Sequence, residues 1–221
     1  AASGPSLAVA QVGGTVRNAV WRISNSILGA GSILAGAGDE WQLVADGKVN
    51  ILRVAGNFTQ TAFSDYPSLR AGTFDVLEIQ GVVDARGIEA TGQVNGIAIG
   101  TLKVGFVSRL DALVAAAGGI GAIDSVVWTD DSGILARWVG TVNVAGVGGN
   151  FNASLLLTGA KPGTKTGLGR VTLNGNVSGK WEVNSDVGDV SVGSASASWQ
   201  LLSGGDLGAV FRPLTNRRKA K

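Results

Sequence analysis

The chain has 221 residues, 18 basic and 16 acidic, and 45% of it is apolar against 15% charged. It holds no Cys, no His and no Met, but 35 glycines, about twice the usual share. These absences exclude a disulfide framework, a thiolate nucleophile, Cys- or His-ligated metal centres and the Ser-His-Asp triad.

The apolar content is too high for a disordered chain, and the length suffices for one sizeable core. No run of 18 apolar residues is present, so no transmembrane helix is expected. The net charge of +2 owes much to Arg217, Arg218, Lys219 and Lys221, which read as a solvated tail. No basic stripe carries interleaved aromatics, so no nucleic-acid partner is expected. Ala1-Ala2-Ser3 suits the mature side of a signal-peptidase cut. The expected location is therefore extracellular or at the cell surface, with the signal peptide already removed.

Taken in chain order, residues 1–11 are a lead-in and Val12 opens a repeat. Its unit is apolar-Gly-x-apolar or a degenerate form. Copies start at Ala30, Val49, Phe74 and Val94, then at Ile120, Val139, Leu168, Val187 and Leu207. From Ile120 onward the intervals are 19, 29, 19 and 20 residues. Within a unit, apolar residues alternate as in Val171, Leu173, Val177, Trp181 and Val183, which is strand periodicity. Gly, Asn, Asp and Ser at the breaks predict corners with positive φ.

Three short strands and three corners fill one such unit. The prediction is one all-β domain over 1–221, a parallel β-helix (β-solenoid) of about ten coils. Its parts are the lead-in 1–11, coils 12–211 and a basic tail 212–221. One coil cannot bury its inward face, whereas stacked coils share a continuous core. Longer intervals mark insertions at 64–68, with the single tyrosine Tyr66, at 109–117, read as one or two helical turns, and at 161–167, a polar loop.

The unit from Leu168 to Asp186, LGRVTLNGNVSGKWEVNSD, resembles the Gly-rich β-solenoid repeats of bacterial secreted and cell-surface proteins, planctomycete-like repeats among them. The resemblance implies an exported structural or adhesive role and carries over no catalytic residues.

Trp41, Trp181 and Trp199 hold similar places in their coils. Exposed, they would form a platform for sugar rings; buried, an aromatic ladder. Asp130 and Asp131 are the metal candidates, but calcium needs six to eight oxygen ligands, so no metal and no cofactor is expected. Lys180, Glu182, Arg170 and Asp189 are the acid/base candidates of a polysaccharide lyase or hydrolase, and the chain is read as not an enzyme. Asn57, Asn152 and Asn176 match the N-glycosylation pattern and are read instead as left-handed corner residues. The expected function is a non-catalytic structural or adhesive solenoid that self-associates through terminal coils or meets other surface proteins. The alternatives are a carbohydrate-binding module with Trp platforms and a polysaccharide-active enzyme.

Overall fold

The computed structural model describes residues 7–23, 30–61 and 67–211. The C-terminal basic cluster and Tyr66 lie outside the described residues, as does most of the 64–68 insertion. Among the described residues the chain is all β. The strands are β1 (Leu7–Ile23), β2 (Ala30–Ala45), β3 (Lys48–Val54), β4 (Phe58–Thr59), β5 (Leu69–Ala71), β6 (Thr73–Ala85), β7 (Ile88–Ala90), β8 (Ile97–Leu110), β9 (Ala112–Ala115) and β10 (Gly119–Trp128). After them come β11 (Gly133–Ala136), β12 (Val139–Val144), β13 (Ser154–Leu157), β14 (Thr166–Val177), β15 (Lys180–Val183), β16 (Asp186–Val187), β17 (Val190–Ala195), β18 (Gln200–Ser203) and β19 (Val210–Phe211).

Every strand pairs in parallel with the strand one coil away, which makes a β-solenoid of about eight turns. About ten coils are expected from the sequence, and the last layer is partial. Leu207 joins Val187 only through an isolated bridge, and β19 is two residues long. Three faces run up the rod: β3 and β12 lie on the first, β4 on the second, and β5, β7, β9, β11, β13, β15 and β18 on the third. On the first face one column reads Leu7, Ala30, Val49, Phe74, Ile99, Ile120, Val139, Leu168, Val187 and Leu207. Eight of these are the repeat starts read from sequence. The first coil begins at Leu7 rather than Val12, and Ile99 takes the place expected of Val94. Val94 instead closes a tight antiparallel bridge with Ile97 around Asn95 and Gly96, whose φ values are 53° and 82°. Four extra residues thus form a corner that mimics a repeat start.

The signature glycines have a cause other than corner geometry. Gly121, Gly140, Gly169, Gly188 and Gly208 sit one above another, and none has positive φ. A Cβ on Gly140 would land on the carbonyl oxygen of Gly121, and one on Gly169 on that of Gly140. The repeat therefore needs glycine because the backbone of each coil lies against the coil before it.

The Gly-Asn corners are also not left-handed at Asn. Positive φ among described non-glycines occurs at Asn18, Glu40 and Asn95. Asn57, Asn152 and Asn176 bridge layers instead. The Val82 amide donates to Asn57 Oδ1 (2.9 Å), Asn152 Nδ2 donates to the Thr129 carbonyl (2.9 Å), and Asn176 Oδ1 accepts from Ser194 Oγ (3.1 Å). Gly81 must lack a side chain because Asn57 Oδ1 already occupies that space.

The segment 109–117 is not helix: 109–110 and 112–115 are strand, with a bend at Asp111 and a turn at 116–117. Leu110, Leu113 and Ala115 point inward and are buried, and β9 pairs with both β7 and β11. Tertiary pairing overrides the helix propensity of its Ala and Leu residues. The core is continuous: Leu52, Leu77, Leu102 and Ile123 stack in register with no exposed surface.

Candidate functional site

The tryptophans lie inside the rod. Trp41, Trp128 and Trp181 have no exposed surface, while Trp21 and Trp199 are half-buried in the first and last layers. Two aromatic runs occupy the corner between the second and third faces. In one, Trp21, Trp41 and Phe58 meet edge to face with centroids 5.2 and 6.0 Å apart. In the other, Trp128, Phe151, Trp181 and Trp199 do so at 5.5, 5.9 and 5.5 Å. Trp128 Nε1 donates to Ser132 Oγ (2.9 Å) and Trp181 Nε1 to the Ala153 carbonyl (3.0 Å). Of the two arrangements expected for Trp41, Trp181 and Trp199, the buried one is found, divided between two internal ladders. Burying a large ring against the next coil removes more apolar surface from water than stacking on a sugar would.

The acidic candidates are spread out. Asp130 Oδ2 accepts the Leu110 amide (2.8 Å), so it ties two layers together, and Asp131 is exposed beside it. Among the described residues no three His, Cys, Asp or Glu side chains gather as metal ligands. Lys180 and Glu182 form an ion pair on the third face. Arg170 follows Thr141 in register on the first face, next to the coil that holds Asp189. The four residues grouped from sequence therefore divide between two faces.

Charges on the outer surface alternate up the rod. In one first-face column Arg53, Glu78, Lys103 and Asp124 succeed one another. Glu78 accepts from Gln80 Nε2 (2.9 Å) and from Arg53 Nε (2.7 Å). The Gln80 bond, with the neighbouring Arg53 and Lys103 charges, holds its carboxyl below the ordinary range against the opposing effect of burial. On the second face Arg17 forms an ion pair with Asp39 (2.8 Å) and Arg109 with Asp84 (2.8 Å).

Two surfaces stand out as unpartnered. The first is the N-terminal end. Among the described residues β1 pairs with β2 alone, which leaves a 17-residue edge. Its inward Leu7, Val12, Trp21 and Ile23 are half-buried, whereas Ile33, Leu43 and Ala45 of the next layer are buried. Leu202, Leu207 and Val210 are exposed in the last layers. The second is the outer third face, where Val114, Leu135 and Leu156 form an apolar column beside the small residues Ala112, Gly133 and Ser154. A trough of about 430 Å³ runs along it and ends at Lys180 and Glu182. Sequence reasoning passed over this face. Its signal was present in Ala-Leu-Val, Gly-Ile-Leu and Ser-Leu-Leu, where strand alternation calls for a polar outward residue and the sequence supplies an apolar one.

No family model, no curated protein and no solved structure matches the chain.

Proposed function

We propose that this chain is a non-catalytic structural or adhesive rod of an extracellular or cell-surface assembly, extended through its terminal coils. The observation that carries the reading is the open first layer. A strand with an unpaired edge and half-exposed core residues is a template for another strand. The parallel register that stacks every internal coil applies equally to a coil from another molecule. The interior supports the same role: glycine ladders, layer-bridging Asn and two aromatic ladders all serve rigidity along the axis. The partner is a second copy or another surface protein.

The test is light scattering of the purified chain over a wide concentration range, beside Val12→Lys. Val12 faces the core at the open end and is half-buried, so a lysine there places charge over the docking surface while its ammonium reaches water. The reading expects particle mass that rises beyond two chains with concentration in the native chain and not in the variant. A native chain that stays monomeric throughout contradicts it.

A further inference from the structure

We propose that the outer third face binds a second copy of this chain, side by side and pointing the same way, about a two-fold axis parallel to the rod. The contact is separate from the one proposed for the ends.

In four successive layers of this face, β9, β11, β13 and β15, the strand carries two outward residues two positions apart. The first column reads Ala112, Gly133, Ser154 and Lys180, and the second Val114, Leu135, Leu156 and Glu182. One column is a trough and the other a ridge. A Cβ built on Gly133 meets no atom within 4 Å, so the trough is open there, and Leu156 is 42% exposed on the ridge.

A two-fold axis running up the face between the columns exchanges them. The first column of one copy then faces the second column of the other at the same layer. Leu135 enters the space above Gly133, Leu156 lies over Ser154, and Val114 lies over Ala112. One layer further, Lys180 of each copy faces Glu182 of the other, so the two ion pairs close into an alternating group of four charges. Shape and charge are self-complementary in this one arrangement, as an isologous contact requires. Reversing one rod would set ridge against ridge and trough against trough.

The contact spans four layers of about 4.8 Å, well short of the roughly 800 Å² per partner of a standard stable interface. The dimer is therefore reversible and concentration-dependent. Being closed, it stops at two copies.

The experiment is sedimentation equilibrium of the full chain over a wide concentration range, with far-UV circular dichroism and urea unfolding to verify the fold of each variant. The native chain forms dimers. Gly133→Leu fills the trough with a side chain that has room in the monomer, and it weakens dimerisation about tenfold or more, about 1.4 kcal/mol. Lys180→Glu and Glu182→Lys each weaken it alone by setting like charges against each other. An equal mixture of these two variants recovers the native affinity, because every facing pair is again of opposite sign. Val12→Lys leaves this dimer intact. A native chain without dimers, a Gly133→Leu chain that dimerises as before, or a mixture no better than its parents overturns the proposal.

Discussion

At the residue scale the glycines divide into two kinds that composition does not separate. Gly140 is pressed against the backbone of the preceding coil, whereas Gly133 has open space around it. Gly140→Ala is expected to cost about 1–3 kcal/mol, as overpacking does. Gly133→Ala is expected to be neutral or slightly stabilising, because it lowers the entropy of the unfolded chain. Urea unfolding of the two variants checks the contrast. The repeat was legible in the sequence because this backbone contact forces glycine to recur in register. The reason for it was not legible, since a glycine required by a close approach and one required by positive φ look the same in a sequence. Gln60 left no trace either. It is fully buried, and neither of its side-chain amide atoms has a partner among the described residues. Gln60→Leu is expected to raise stability by about 1–3 kcal/mol, the cost of an unsatisfied buried polar group, and a rise in urea midpoint checks it.

At the element scale the corner ladders and charged columns join one strand to the next. Phe151 stands between Trp128 and Trp181 and touches both edge to face. Phe151→Ala is expected to cost about 3–5 kcal/mol; its effect on the near-ultraviolet signal of both tryptophans separates it from a local loss. Trp41 and Trp199 were legible as sharing one place in the coil, whereas Trp181 stands two residues further on, in the column of Leu43 and Leu201. Their burial was not, because aromatics at strand spacing read alike whether they face in or out. The 109–117 segment shows the opposite failure, a local propensity for helix overruled by β7 and β11 on either side.

The charged column carries a pH dependence. The Glu78 carboxyl is held below its ordinary range in the folded chain, so it binds protons less readily there than when unfolded. Its contribution to stability is present above the unfolded carboxylate range and is lost as the pH falls through the folded value. Between about pH 7 and about pH 3 the native chain is therefore expected to lose more stability than Glu78→Gln. Equal losses in urea unfolding at the two pH values would show that the column does not contribute.

At the scale of the whole molecule, stacking makes a rod whose first layer, among the described residues, is paired on one side only. Eight turns at about 4.8 Å give a body about 40 Å long. A short rod of this kind gains reach by adding coils from a neighbour. Growth along the axis and pairing through the third face leave different signatures, the first in length and the second in width. The most direct measurement is negative-stain electron microscopy of the native chain at several concentrations, with particle length and width scored separately. The account predicts lengths in multiples of the single rod at high concentration, reduced to the length of one rod by Val12→Lys. Particles of one rod length at every concentration would contradict it.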